Sequence, residues 1–214
     1  RSCCSCGDSG RRHRDSDLTH PLTPIERWFA LQGWTPMPFQ RSTWRAHLDG
    51  RSGLIQVPTG SGKTYAAVMG SIARMLESPS QQRGVRLLYI TPLRALSRDL
   101  ALAIQDPIDA MQWPLRVAIR NGDTPTAERS RQIKTPPEIL ITTPESLCVL
   151  LAGRHCERLF QTLDTVILDE WHELIGSKRG IQAELALSWL RQQRPSLQTW
   201  AISATIGNLE ESAR

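Results

Sequence analysis

The sequence predicts an α/β domain in which a doubly wound, mostly parallel sheet is flanked by helices. Nearly continuous apolar runs between helices are typical of parallel strands that are buried on both faces. Ligands of this architecture bind beyond the carboxyl ends of the strands, so we expect functional residues directly after strands. The predicted strands alternate with helical segments and cover residues 53–57, 85–91, 115–119, 138–142, 165–170 and 199–204.

Two helices are predicted before the first strand. The stretch "TPIERWFALQG" has Thr23 as a capping residue, Pro24 in the first turn and Glu26 as the partner in a capping box. Gly33 supplies a stop signal, and a second helix is predicted over residues 39–50.

Composition indicates a globular domain that follows a polar tail. Hydrophobic residues make up 40% and charged residues 22% of the 214 residues, and the net charge of +5 favours an anionic partner. Residues 1–20 are rich in Ser and Arg, so they are predicted to be a disordered tail before one domain over residues 21–214. No apolar run approaches the ~20 residues of a membrane span, and no apolar signal segment is seen, so a cytoplasmic location without a membrane partner is expected.

The tryptophans are predicted to serve mainly as core residues. Trp28, Trp44 and Trp189 recur at helical spacing with other apolar residues, which favours packing over the stacking of bases.

A phosphate-binding loop is predicted directly after the first strand. In "VPTGSGKT" the glycines Gly60 and Gly62 let backbone N–H groups turn inward around an anion. Lys63 would reach the outer phosphates, and the Thr64 hydroxyl would join the ligands of Mg²⁺. The strict pattern usually begins with Gly or Ala, whereas this loop begins with Val57, and the motif alone predicts only nucleotide binding.

Two adjacent acids end another apolar strand, in "VILDEWHEL". Asp169 suits the coordination of Mg²⁺ through water, and Glu170 is placed to accept a proton from an attacking water. A lone Asp-Glu pair is more often a solvated turn. Because a phosphate loop follows another strand of the same predicted sheet, we interpret the acids as part of an ATP site.

Together these motifs resemble superfamily 2 DExH-box helicases. "PTGSGKT" (58–64) and "DEWH" (169–172) resemble motifs I and II, and the supporting motifs follow in the family's order: "TPLRAL" (91–96), "NGDT" (121–124), "TTPESL" (142–147) and "SAT" (203–205). "GWTPMPFQ" (33–40), the DEWH box and "GSKRG" (176–180) look most like the ligase-associated, Lhr-type DNA helicases. The resemblance implies the first RecA-like, P-loop NTPase domain of such a motor. It also implies ATP and Mg²⁺ as cofactors and single-stranded nucleic acid, DNA more than RNA, as partner.

The resemblance also implies roles for individual residues. Gln40 would read the adenine edge, His172 would link the nucleotide site to the SAT motif, and Ser203 and Thr205 would couple the two functions. The nucleotide would be held by Gln40, Thr59, Gly60, Ser61, Gly62, Lys63 and Thr64. Mg²⁺ would be held by Thr64 and Asp169, and the catalytic residues would be Lys63, Asp169, Glu170 and His172.

A track for the nucleic-acid strand is implied where motifs follow strands or open helices. Helix N-termini and backbone N–H groups there can hold phosphates without reading bases, and Arg94 adds charge. Simple helix capping could also explain Thr124 and Thr143, because each precedes a proline. The implied contacts are Pro92, Leu93, Arg94, Gly122, Asp123, Thr124, Thr143, Pro144 and Glu145.

Such motors place ATP in a cleft between two RecA-like domains, and the second one is expected to be missing from this chain. The chain alone is therefore predicted to be inactive in hydrolysis and unwinding. Two alternatives stay open: an RNA helicase or remodeller of the same superfamily, and a nucleotide-dependent nucleic-acid-binding module without turnover. The intact Lys63, Asp169 and Glu170 argue against the second.

Overall fold

The computed structural model describes residues 20–204. The predicted tail lies outside the described residues except for His20, and so does Thr205. In chain order the elements are α1 (Thr23–Leu31), α2 (Pro38–Leu48), β1 (Gly53–Gln56), α3 (Lys63–Glu77), β2 (Leu87–Ile90), α4 (Leu96–Ala110), β3 (Val117–Arg120), α5 (Thr126–Lys134), β4 (Ile139–Thr142), α6 (Pro144–Leu151), α7 (Cys156–Phe160), β5 (Thr165–Leu168), α8 (Trp171–Leu174), α9 (Lys178–Gln193) and β6 (Gln198–Ser203).

The strands form one sheet in the order β1-β6-β5-β2-β4-β3, and every pairing is parallel. The doubly wound α/β fold is thereby confirmed, with a sheet that is wholly parallel within the described residues. After β1 the chain crosses to β2, and it later returns to insert β5 and β6 between these two strands. The carboxyl ends of β1 and β5 therefore lie on either side of β6.

Alternate strand residues enter two cores, one on each face of the sheet. One face packs against α3 and α4, and the other against α6 and α9. Side chains from all residues of β2, β4 and β5 are buried, as expected for central parallel strands. The α3 face carries Ile55, Tyr89, Ile141, Ile167 and Ile202, and the opposite face carries Leu88, Ile90, Leu140, Val166 and Leu168.

Aromatic residues join α1, α2 and the start of α3. Trp28 and Trp44 are fully buried, and Trp28 packs edge-on against Tyr65 with ring centroids 5.1 Å apart. Trp189 is partly buried against the core of the other face. The prediction that these tryptophans are packing residues is confirmed.

The predicted capping box of α1 is wrong. The residue before the helix is Leu22, whose side chain makes no capping hydrogen bond, and the N–H of Thr23 donates to the carbonyl of His20. Glu26 is unavailable to the cap because its carboxylate contacts Arg41 on α2. The predicted stop is confirmed, since Gly33 has a left-handed φ of 70° just after the helix.

Membrane insertion is not indicated by any helix within residues 20–204, since none combines the length and the apolar character of a span.

Candidate nucleotide site and strand track

The loop between β1 and α3 has the backbone shape that anion binding requires. Gly60 and Gly62 have φ values of 81° and 80°, a conformation that residues with a side chain rarely adopt. Space also restricts the second position, because a Cβ on Gly62 would lie 2.7 Å from the amide nitrogen of Gln40. Lys63 then begins α3, so the free N–H groups of the helix start face the loop.

Gln40 ties α2 to this loop. The residue is only 4% exposed; its Nε2 donates to the carbonyl of Gly62 at 3.2 Å, and its Oε1 accepts the N–H of Met37 at 2.8 Å. Both ends of the amide are therefore engaged within the protein. The predicted contact with adenine stays a prediction.

A cavity of about 360 Å³ opens above the loop. Lys63 lies in its wall with a buried Nζ that has no hydrogen-bond partner among residues 20–204. A buried ammonium without a partner is costly, so an anion at this place would satisfy it. Ser61 does not line this cavity, and its hydroxyl donates to the carbonyl of Pro58 at 2.7 Å. The predicted contact of Ser61 with the nucleotide stays a prediction. The remaining wall is formed by Thr59, Gly60, Gly62, Thr64, Leu96, Asp99, Leu100, Ala103, Asp169 and Glu170.

Asp169 and Glu170 reach this cavity from the end of β5. The N–H of Asp169 continues the sheet by donating to Ile90 at 2.8 Å, and its Oδ1 accepts the N–H of Glu170 at 3.0 Å. Burial, and after it the charge of Glu170, raises the pKa of the Asp169 carboxyl to about 6. A cation beside this carboxylate would lower the cost of its charge.

Glu170 has the left-handed conformation φ 44°, ψ 48°, which costs on the order of 1–3 kcal/mol in a residue with a side chain. Such strain is often kept where a side chain must point in a defined direction. The turn brings His172 between two groups: its Nδ1 lies 3.5 Å from the Glu170 carboxylate and 3.3 Å from the hydroxyl of Ser203. The predicted coupling role of His172 and Ser203 stays a prediction. Thr205 lies outside the described residues.

The site fits a nucleotide with a bound Mg²⁺. It combines in one cavity a loop with two left-handed glycines, a buried amine that has no partner within residues 20–204, and a half-buried carboxylate. Residues 20–204 contain no group of three or more His, Cys, Asp or Glu side chains suited to a metal ion. A Mg²⁺ ion here would therefore take most of its ligands from phosphate oxygens and water, which is its usual preference.

The predicted strand contacts follow three neighbouring strands. Pro92 to Arg94 come after β2, Gly122 to Thr124 after β3, and Thr143 to Glu145 after β4. Because the sheet order is β2-β4-β3, these segments lie side by side along one edge. The fold thus brings the nine predicted residues to one edge of the domain.

Arg94 is the charged centre of this edge. Its side chain is 52% exposed, pairs with Asp123 at 3.7 Å and lies so close to Gly122 that a Cβ there would be 2.8 Å from the guanidinium. A cavity of about 930 Å³ adjoins it, between α4, β3 and the start of α5. Leu93 beside it is 40% exposed, whereas Pro92 is buried.

The two threonines of the track differ in their local roles. Thr143 caps α6, because its hydroxyl accepts the N–H of Ser146 at 3.4 Å, and Pro144 is the first residue of that helix. Thr124 does not cap α5; its hydroxyl accepts the N–H of Asn121 at 2.9 Å and closes the preceding turn. Both hydroxyls are engaged internally and nearly buried, so strand contacts at these places would use backbone groups.

Two arginines organise this edge, and sequence reasoning missed both. Arg179 on α9 donates to the Glu145 carboxylate at 2.7 Å and to the carbonyl of Pro92 at 3.1 Å, so it joins two segments of the track. Arg129 donates to the carbonyls of three residues, namely Asn121, Gly122 and Thr124. The only signal in the sequence was the position of Arg179 in "GSKRG", which carried no role.

Comparison with known proteins identifies the class. Residues 37–212 match the family model for DEAD/DEAH box helicases, so the chain belongs to this family. Its fold is the RecA-like fold of helicase domains.

Among individual relatives, Lhr-type helicases match most of the chain, which confirms the resemblance seen in the sequence. The chain is 37% identical to the Lhr helicase/uracil glycosylase of Escherichia coli, over 92% of this chain and 14% of that protein. It is also 37% identical to the ATP-dependent helicase Lhr-Core of Methanothermobacter thermautotrophicus, over 96% of this chain and 25% of that protein. The structure of Mycobacterium smegmatis Lhr bound to ssDNA and AMP-PNP matches with a TM-score of 0.78 and 34% identity, covering 91% of this chain and 26% of that one. The chain thus spans about a quarter or less of these relatives.

Proposed function

We propose that this chain is the ATP-binding half of an ATP-dependent helicase motor that acts on DNA. The observation that carries the proposal is the shared cavity of Lys63, Asp169 and Glu170, in which the Nζ of Lys63 has no partner among the described residues. A phosphate loop and two strand-end acids around one cavity are among the parts that phosphoryl transfer from ATP needs.

Each residue then has a defined task in this cavity. Lys63 binds the outer phosphates, and Thr64 and Asp169 hold Mg²⁺. The bound ion offsets negative charge on the phosphates. Glu170 orients the attacking water and accepts its proton. His172 contacts both Glu170 and Ser203, so it couples the position of the Glu170 carboxylate to the end of β6.

The partner we propose is single-stranded DNA along the edge formed after β2, β4 and β3. Support comes from the exposed Arg94, from the net charge of +5 and from the relative of Mycobacterium smegmatis, whose structure contains ssDNA. We also propose a cytoplasmic location, since the helicase relatives act with ATP on nucleic acid.

Hydrolysis and unwinding are proposed to need a second RecA-like domain. The arginine finger of such motors is worth about 1,000-fold or more in turnover. The 214 residues should therefore bind Mg-ATP and single strands with ATPase activity near background.

The proposal is tested by titrating the 214-residue chain with ATP and AMP in the presence of Mg²⁺. Lys63→Ala should weaken ATP binding about tenfold or more and leave AMP binding nearly unchanged, because the lost hydrogen bond is charge-assisted and lies at the outer phosphates. Lys134→Ala is the matched control, since this lysine is exposed at the far end of α5. Equal losses for ATP and AMP would remove Lys63 from the phosphate site.

The same chain distinguishes the alternatives. Oligonucleotides of one sequence in deoxy and ribo form test the preference for DNA, and stronger binding of the ribo form would favour an RNA helicase or remodeller. A chain that binds single strands without any affinity for Mg-ATP would contradict the motor proposal.

A further inference from the structure

Tyr89 lies in the middle of the sheet, and its hydroxyl is buried beside the candidate nucleotide site. It belongs to the central strand β2 and is 0% exposed. Its hydroxyl forms no hydrogen bond of ordinary geometry with residues 20–204. A buried polar group without a hydrogen bond destabilises the folded state, so its presence calls for an explanation.

The position of Tyr89 in the sheet directs this hydroxyl toward the nucleotide site. Tyr89 is paired in register with Ile167 on β5, and both side chains belong to the core that faces α3. Side chains alternate along a strand, so Asp169, two residues after Ile167, is directed toward the same face. The first turn of α3, which carries Thr64, covers this face.

Electrostatics agrees with this placement. Burial, and after it the carboxylate of Asp169, raises the pKa of the Tyr89 phenol well above its usual range, and the Thr64 hydroxyl partly opposes this rise. The two predicted protein ligands of Mg²⁺ are thus the polar groups that act most directly on the phenol. A phenol hydroxyl carries one proton that it can donate in a hydrogen bond.

We propose that Tyr89 is a positioning residue of the nucleotide site, whose hydroxyl donates to the carboxylate of Asp169 when a metal-bound nucleotide is held there. This inference rests on the proposed function. Oδ1 of Asp169 already accepts the N–H of Glu170 at 3.0 Å, and one further donor would fix the rotation of the carboxylate. A hydrogen bond to an ionised carboxylate is among the stronger kinds, which explains why a polar side chain is kept in an apolar strand.

The opposing explanation is that Tyr89 serves only as a large core residue. Phenylalanine has nearly the same shape and would serve equally well in that case. The two explanations differ in one measurable respect: a positioning hydroxyl affects nucleotide binding only when Mg²⁺ is present.

The chain is well suited to a direct spectroscopic test because it contains two tyrosines, Tyr65 and Tyr89. Labelling with 3-fluorotyrosine gives two ¹⁹F signals, and Tyr65→Phe assigns the remaining one to Tyr89. We expect the Tyr89 signal to shift on addition of ATP with Mg²⁺ and to stay in place with ATP and EDTA. A signal that responds equally in both conditions, or in neither, would overturn the inference.

Binding measurements with Tyr89→Phe give the second readout. We expect the Kd for Mg-ATP to rise about threefold to tenfold, while the Kd for ATP in EDTA is unchanged, because one hydrogen bond is lost. The variant should unfold at the same or a higher urea concentration, since an unsatisfied buried hydroxyl has been removed. Tyr65→Phe is the control and should bind like the wild type.

The outcomes separate this inference from the function on which it rests. If the wild-type chain binds no Mg-ATP, the proposed function fails and the inference fails with it. If the wild type binds Mg-ATP and Tyr89→Phe binds it equally well, the inference alone fails. A loss of ATP affinity that is the same with and without Mg²⁺ would assign Tyr89 to core packing and also overturn it.

Discussion

The stability of the domain should fall in mild acid because one histidine is buried in a neutral form. His47 on α2 is 0% exposed, stacks on Trp200 with ring centroids 4.5 Å apart, and has its Nδ1 3.2 Å from the Ser71 hydroxyl. Burial, and after it the charge of Arg74, lowers the pKa of His47 from 6.5 to about 3. In mild acid the imidazole of His47 is therefore protonated in the unfolded chain but neutral in the folded protein.

The size and sign of the effect follow from these two pKa values. Between pH 6.5 and about 3 the unfolded state binds more protons than the folded state, so the free energy of unfolding decreases as the pH falls. The slope approaches about 1.4 kcal/mol per pH unit. At pH 5 the domain should have lost about 2 kcal/mol of stability through His47, relative to neutral pH. Below a pH of about 3 this contribution stops growing.

The assay is urea unfolding at pH 7.5 and pH 5, followed by tryptophan fluorescence, for the wild type and for His47→Asn. Asparagine does not titrate, and its amide can reach Ser71 in place of Nδ1. The stability lost between the two pH values should be about 2 kcal/mol smaller in His47→Asn, because all other titrating groups are shared. His155→Asn, which changes an exposed histidine, should behave like the wild type. Equal losses in His47→Asn and the wild type would refute the reasoning.

Two further predictions concern the candidate site. Glu170→Gln should keep the affinity for Mg-ATP within about twofold. The amide has the shape of the carboxylate, which we assign to the attacking water and not to Mg²⁺. A titration that shows loss of Mg-dependent binding would instead make Glu170 a ligand of Mg²⁺. Arg94→Ala should lower the slope of log K against log salt for single-stranded DNA by about one unit or less, since one phosphate contact is lost. Arg83→Ala, at the opposite edge of the sheet before β2, should leave that slope unchanged, and equal slopes for both variants would exclude Arg94 from the track.

The sequence was sufficient for the fold because its signal is local. Each strand is a short apolar run, and the phosphate loop and the Asp-Glu pair directly follow two of them. The first and last residues of the strands were less predictable. The sequence predicts one strand over residues 85–91, but β2 covers only Leu87–Ile90. The N–H of Val85 donates to the carbonyl of Leu159 on α7, outside the sheet.

What the sequence could not supply are contacts between distant segments. Thr23 looked like a helix cap, and the structure instead uses Glu26 in a contact with Arg41 on the next helix. Arg179 donates to a carbonyl 87 residues earlier in the chain, and its position in "GSKRG" does not indicate that contact. Tyr89 is similar: in the sequence it is one more large residue in an apolar strand, and only the register with β5 places it beside Asp169.

A buried polar network at the amino edge of the sheet connects the same elements that carry the site at the carboxyl edge. Ser71 on α3 contacts His47 on α2 and donates to Thr165 on β5 at 3.1 Å. The Thr165 hydroxyl donates to Oε1 of Gln198 on β6 at 3.4 Å, and Nε2 of Gln198 donates to the carbonyl of His47 at 2.9 Å.

These four elements carry or lead to residues predicted for the nucleotide site and its coupling. α2 carries Gln40 and α3 begins at Lys63, while β5 leads to Asp169 and β6 ends at Ser203. Buried polar networks fix the relative position of the elements they join, because a shift would leave several groups unsatisfied at once. The network thereby fixes the relative positions of the elements that carry the candidate nucleotide site. Loosening the network at His47 should therefore affect ATP binding only by changing the positions of these elements, because His47 does not line the cavity.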